Sequence, residues 1–220
     1  MEYMDVLQRV PLFAGFSPEE LPNTLQCLEA QQKKYQKDET IFLAGDAANR
    51  VGILLCGTAQ VVSDDVFGNR SIRTMLGEAD LFGEVFACAE VEQLPVSVIA
   101  QRDCVVLLIN YARILSPCQA QCIFHANLVE NMMRILAQKN LMLSTKMDVL
   151  SARSTRHKLL NYFSALAMQQ GSAQVTLPFD RQQLADYLAV DRSAMSTELS
   201  KMQRDGLIRY QKNRIELLGV

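Results

Sequence analysis

The chain has 220 residues, 22 Lys and Arg against 24 Asp and Glu, and 49% hydrophobic side chains, which is room for two modest domains with real cores. No apolar run is long enough to cross a bilayer, and Met1-Glu2-Tyr3 opens neither the basic nor the hydrophobic region of a secretory leader. The expectation is a cytoplasmic protein with no membrane partner, whose six cysteines are reduced thiols.

In chain order, Val6 to Phe13 and Ser17-Pro-Glu-Glu-Leu21 carry helical punctuation. Ser17 stands as a cap, Pro18 at the first helical position and Glu20 at the third. Cys27 and Leu28 on that helix read as packing. From Gln32 to Leu108 the pattern changes to short runs of period two, such as Glu39 to Leu43, Val51 to Cys56, Ala59 to Val62 and Ser71 to Met75. Gly45, Gly52, Gly57, Gly68 and Gly77 break these runs. Many short strands at close spacing predict an antiparallel barrel or roll.

Ser116 to His125 leads into a long helix. Cys118 and Cys122 lie four residues apart, with His125 one turn beyond, so on a helix the three share a face. Two readings stay open. They form a metal, haem or thiol-redox site, completed by Cys88 or Cys104, or they are two packed cysteines and a polar histidine. The spacing matches no established metal signature. Over Asn127 to Leu150, Val129, Met133, Leu136, Asn140, Leu143, Met147 and Leu150 alternate spacings of four and three, an a/d heptad seam. Leu128, Met132, Ile135 and Met142 form a second apolar set, predicted to pack on the strand-rich domain while the seam meets the same helix of a second copy. Asn140 at an a position would fix register and dimer state at some expense in stability.

Ser151 to Thr155 breaks the stripe as a hinge. Arg156 to Met168 reads as a helix burying Leu159, Leu160, Phe163 and Leu166, and Gln169 to Ala173 ends it. Asp180 and Gln183 make a capping-box pair before Leu184, Ala185 and Leu188. After Ala189-Val190, Asp191 caps a second helix predicted to bury Ala194, Met195, Leu199 and Met202. Its outer face carries Arg192, Ser193, Ser196, Thr197 and Lys201, side chains able to bond base edges or phosphates. Leu207 to Leu217 alternates around Lys212-Asn213, as a hairpin does. From Leu150 onward ten basic side chains stand against six acidic ones, net +4, leaving twelve against eighteen, net −6, in the remainder. A basic end on an acidic body marks a phosphate-binding module attached to a domain of different purpose.

A helix pair followed by a basic-tipped hairpin, preceded by Ala44-Gly-Asp46, Gly57-Thr-Ala-Gln-Val61 and Asp80-Leu-Phe-Gly-Glu84, resembles the Crp/Fnr superfamily of bacterial transcription regulators over nearly the whole chain. The resemblance implies an α+β fold. Residues 1–125 would form a jelly-roll-like antiparallel β-roll that senses an effector. Residues 126–150 would be a dimerisation helix, and 151–220 a winged helix-turn-helix domain. It further implies a homodimer on a pseudo-palindromic double-stranded operator, with RNA polymerase as a partner and no enzymatic activity. The DNA-contacting set would be Arg192, Ser193, Ser196, Thr197, Lys201 and Lys212.

The effector pocket implied by the family comprises Gly83, Glu84, Leu94, Pro95, Val96 and Ser97. Members that bind cyclic AMP use a Gly-Glu pair for the ribose and phosphate, then an Arg followed by Ser or Thr about ten residues on. Gly83-Glu84 is present, but the clamp positions are Leu94 and Pro95. Leu neutralises no phosphodiester, and Pro offers neither a hydroxyl nor an N–H. The expected effector is therefore unknown and not a cyclic nucleotide, with Gly83-Glu84 a relic of the turn. The amino-terminal cysteine cluster of iron–sulfur relatives is also missing. Ser193 stands where relatives commonly have Glu, and Thr197 where they have a guanine-reading Arg, so the operator should differ from that of the cyclic-AMP receptor protein. The competing reading is an effector-binding or redox- or metal-sensing module whose output is not DNA binding.

Overall fold

The computed structural model describes residues 2–65, 67, 69–116 and 124–218. It divides into two compact units, up to Ala137 and from Gln138 onward. The first unit begins with α1 (Met4–Leu7), a 3-10 turn (Pro11–Phe13) and α2 (Glu20–Cys27). The Ser17 hydroxyl does not cap α2. Instead Glu20 reaches back to accept the Ser17 backbone N–H at 2.8 Å. Eight strands follow: β1 (Gln31–Tyr35), β2 (Thr40–Phe42), β3 (Arg50–Cys56), β4 (Ala59–Asp64), β5 (Arg70–Leu76), β6 (Leu81–Phe82), β7 (Ser97–Ala100) and β8 (Cys104–Asn110). The short α3 (Glu84–Cys88) sits between β6 and β7, and α4 (Tyr111–Leu115) follows β8.

The strands form two antiparallel four-stranded sheets, ordered β1-β8-β3-β6 and β2-β7-β4-β5. Alternation along β3 and β8 divides their side chains between two cores. Val51, Ile53 and Leu55 of β3, with Val105, Leu107 and Ile109 of β8, face the helical layer of Leu7, Leu12, Leu21, Leu25 and Leu28. The alternate positions Leu54, Val106 and Leu108 face inward between the sheets, with Phe42, Phe82, Leu94 and Val98. Gly52 has the room to sit there only because it lacks a side chain: a Cβ would lie 2.2 Å from the Phe82 ring.

Helix α5 (Phe124–Ser151) is one continuous run of 28 residues. Leu128, Met132 and Ile135 are buried against the helical layer of the first unit. Met142, expected on the same face, is 72% exposed. It lies beyond Ala137, where the first unit ends. Along the heptad seam, Val129, Leu136 and Leu150 are half-buried, while Met133, Asn140, Leu143 and Met147 are exposed.

In the second unit Ser154 caps α6 (Thr155–Gln170), the residues between Ser151 and Thr155 being the predicted break. Then come β9 (Gln174–Thr176), α7 (Arg181–Leu188), α8 (Arg192–Arg204), β10 (Ile208–Gln211) and β11 (Arg214–Leu217). The sequence reading missed β9, which pairs with β11 and turns the hairpin into a three-stranded sheet ordered β10-β11-β9. Leu159, Phe163, Leu184, Leu188, Met195, Leu199, Met202, Ile208 and Ile215 form the core beneath it.

Candidate nucleic-acid interface and roll pocket

Helix α7 begins with the predicted capping box. The Asp180 carboxylate accepts the Gln183 N–H at 2.8 Å, and the Gln183 side-chain oxygen accepts the Asp180 N–H at 2.9 Å. The pair satisfies two of the donors that a helix start leaves open. At the other end, Ala189 takes the left-handed conformation (φ 49°) that turns the chain toward α8. The Lys158 ammonium donates to the Leu188 carbonyl at 3.0 Å. There it satisfies an orphan acceptor and complements the negative end of the helix.

Asp191 starts α8 by accepting the Ala194 N–H at 2.8 Å and the Ser193 hydroxyl at 2.5 Å. The Ser193 bond, then the backbone bond from Ala194, hold its carboxyl below the usual carboxylate range. Met195, Leu199 and Met202 are buried, whereas Ala194, expected beside them, is exposed. The remaining face presents Arg192, Ser193, Ser196, Thr197 and Lys201 to solvent. Ser196 donates back to the Arg192 carbonyl at 2.9 Å, and Lys201 stands 4.0 Å from Glu198.

Strands β10 and β11 pair from Ile208–Leu217 to Gln211–Arg214. Lys212 therefore occupies the exposed tip in a left-handed conformation (φ 54°). Arg209 lies 3.7 Å from Glu216. All six side chains predicted to meet DNA thus belong to α8 or the hairpin tip of one compact unit.

Sequence reasoning missed the residues that hold this face in place. Arg156 on α6 bonds Glu198 at 2.5 Å and Asp205 at 2.8 Å, fixing α8 near both ends of its last two turns. The Arg181 guanidinium lies 4.8 Å over the Tyr210 ring, joining the start of α7 to the hairpin. No local pattern announces such pairs, because their partners lie up to 49 positions away in sequence.

In the first unit, Gly83 has φ 83° and caps α3. A Cβ there would come within 2.9 Å of both the Arg50 carbonyl and the Phe42 ring, so the position requires glycine for conformation and for space. Glu84 is 1% exposed. Leu94 is 5% exposed and belongs to the inward core, whereas Pro95 is exposed and Val96 half-buried. The half-buried Ser97 accepts the Ala44 N–H through its hydroxyl at 2.9 Å. Leu94, the residue expected at the clamp position, is thus an apolar side chain packed into the roll.

Cys118 and Cys122 lie outside the described residues. His125 is 7% exposed, and its ring lies 3.3 Å from the Cys27 sulfur through Nε2 and 3.3 Å from the Ile114 carbonyl through Nδ1. With Nδ1 protonated, both contacts are satisfied hydrogen bonds. Cys27 therefore packs on the histidine, a pairing the linear spacing did not reveal. Burial raises the thiol pKa of Cys88 and of Cys104, which disfavours their thiolate forms. Among the described residues no three His, Cys, Asp or Glu side chains converge as metal ligands.

Comparison with known proteins matches residues 32–121 to the cyclic nucleotide-binding domain and residues 157–220 to the Crp-like helix-turn-helix domain. The chain is 24% identical to the cyclic AMP receptor protein of Thermus thermophilus, over 94% of this chain and 92% of that one. It is 21% identical to the CRP-like protein Clp of Xanthomonas campestris, over 86% of this chain and 85% of that one. Its fold is similar to the crystal structure of the Thermus thermophilus catabolite activator protein. The TM-score is 0.55 at 22% identity, covering 94% of this chain and 93% of the other.

Proposed function

The chain belongs to the Crp/Fnr family of DNA-binding transcription regulators, and from that premise we propose that it acts as a cytoplasmic homodimer on a pseudo-palindromic operator, gated through the β-roll by a signal other than a cyclic nucleotide. The observation that carries the DNA-binding part is the solvent face of α8, where Arg192, Ser193, Ser196, Thr197 and Lys201 stand exposed on a helix anchored by Met195, Leu199 and Met202. In a two-fold dimer two such helices would enter successive major grooves about 34 Å apart. Arg192 and Thr197 would read base edges, while Lys201 and Lys212 would meet phosphates.

The dimer reading rests on the exposed seam. Met133, Leu143 and Met147 are 60%, 63% and 70% exposed at a and d spacing, an apolar stripe that a second α5 in parallel register would cover. The signal reading rests on Leu94. A cyclic phosphate brought against it would lose its hydration with no cation from that position to replace it. Transcription output would pass to RNA polymerase.

Site selection from random duplex DNA tests the reading. The expected result is a two-fold symmetric consensus for the wild type. Arg192→Ala or Thr197→Ala should change preference at one position per half-site, by about 1–3 kcal/mol. Unchanged preference in both variants would remove α8 as the reader. In calorimetry, millimolar cyclic AMP or cyclic GMP should produce no binding heat, and micromolar affinity for either would overturn the signal reading.

A further inference from the structure

The inward face of the β-roll carries charge where alternation calls for apolar side chains. On β8, Val106 and Leu108 point into the roll. Their register partners are Lys33 and Gln31 on β1, and Leu54 and Gly52 on β3. Arg50, two residues before Gly52, shares that face. Lys33 and Arg50 thus lie on the inward-facing side of β1 and β3 but are solvent-exposed, bordering a core of aliphatic and aromatic groups. Among the described residues neither side chain forms an ion pair or hydrogen bond.

These two cations line a cavity of about 380 Å³, within the range of small-molecule sites. Its floor is apolar: Ile41, Phe42, Leu94 and Leu108 line it, and each is less than 9% exposed. Its rim holds Lys33, Arg50 and Tyr35, with Asp46 as the single carboxylate. Burial, reinforced by Cys104, raises the Tyr35 phenol above its ordinary value, while the Arg50 charge acts in the opposite direction. Tyr35 is therefore a neutral hydroxyl donor within electrostatic reach of the Arg50 guanidinium. Two cations against one carboxylate leave a single net positive charge, which suits a monoanion better than a phosphate dianion.

We propose that the roll binds an amphipathic monocarboxylate, its apolar body on Phe42, Leu94 and Leu108 and its carboxylate between Lys33 and Arg50. Leu94 then has a role that its departure from the family pattern leaves unexplained. The side chain that removes the phosphate clamp supplies part of the apolar floor, and the cationic contribution comes from β1 and β3 instead. The proposal rests on reading the roll as the signal-receiving domain, and it names the chemical class of the signal.

Titration calorimetry of the full chain with octanoate, below its aggregation concentration, tests it. The expected result is saturable binding at one equivalent per chain. Octanamide, which keeps the chain and loses the charge, should bind at least tenfold more weakly, as should inorganic phosphate, which keeps charge and loses the body. Lys33→Gln with Arg50→Gln should weaken octanoate tenfold or more, while Lys34→Gln, on the opposite face of β1, should leave it unchanged. Absence of saturable octanoate binding, equal affinity for octanamide, or unchanged affinity in a folded double variant would each overturn the site. The octanamide comparison uses only the wild-type chain, so it decides the matter even if the double variant fails to fold. A gel shift on the same preparation separates the two readings: loss of DNA binding counts against the regulator, and loss of octanoate binding against this site alone.

Discussion

Arg156 shows how much of the DNA-binding face depends on one side chain remote from it. Its guanidinium bonds Glu198 and Asp205 together, and burial of Glu198 to 18% side-chain exposure shields one of the two bonds from solvent. Arg156→Ala should therefore lower the urea midpoint of unfolding, modestly because both bonds are partly open to solvent. It should also weaken operator binding although Arg156 itself meets no DNA in this reading. Urea denaturation and a gel shift check both, and a variant matching wild type in each would show that core packing alone holds α8. Asp191 gives the pH counterpart. Its carboxyl is held below the ordinary range by Ser193 and Ala194. A depressed folded pKa contributes stability above the unfolded value, and this is lost as pH falls through the folded one. The difference in stability between wild type and Asp191→Ala should thus be full at neutral pH and shrink below the usual carboxylate range. A difference that stayed constant down to that range and below it would mean that the carboxylate charge contributes nothing to the cap.

At the scale of elements, helix α5 carries the clearest periodic signal in the chain, and its exposed stripe makes a sharper test than the spacing alone. Leu136 is half-buried against the core of the first unit, so charging it would damage that unit as well as any dimer. Leu143 and Met147 are 63% and 70% exposed and belong to neither core. Leu143→Lys with Met147→Lys should give monomers in sedimentation while leaving the thermal transition of the amino-terminal unit in place. A dimer that survives both changes would remove the seam from the interface. The same helix shows what was legible in advance. The spacing that placed Leu128, Met132 and Ile135 on one face is a local property of the sequence, as are the capping box at Asp180 and the turn at Lys212. β9 was missed because three residues are too short to display a period; its strand conformation comes from pairing with β11. Ala194 and Met142 were also misplaced. Ala194 lies at the rotational margin of the α8 stripe, where small differences in helix rotation decide burial, and Met142 lies past the end of the first unit at Ala137, beyond the core its face would pack on. The Cys27–His125 contact and the Lys33–Arg50 pair were invisible because only the folded sheets and helices bring together residues 98 and 17 positions apart.

For the whole molecule, the uneven charge makes the salt dependence of DNA binding the most direct test of how the two halves divide their work. The basic excess from Leu150 onward is small, net +4, so affinity should come from a few well-placed cations and not from a diffuse positive field. Lys201, Lys212 and Arg214 are exposed on the proposed face, while Arg209 is already engaged with Glu216. Each phosphate neutralised contributes about 0.9 to the slope of log affinity against log salt. A dimer using the three exposed cations on each side would make about six contacts, with a slope near −5. Lys212→Ala removes one contact per subunit, so the slope should become shallower by about 2, and affinity should fall alike on operator and unrelated duplex. Arg192→Ala should act in the opposite sense, lowering affinity for the operator far more than for unrelated DNA. Fluorescence anisotropy on both duplexes from 50 to about 200 mM salt separates the two. An unchanged slope in Lys212→Ala would show that the hairpin tip does not reach the backbone, leaving α8 alone to bind.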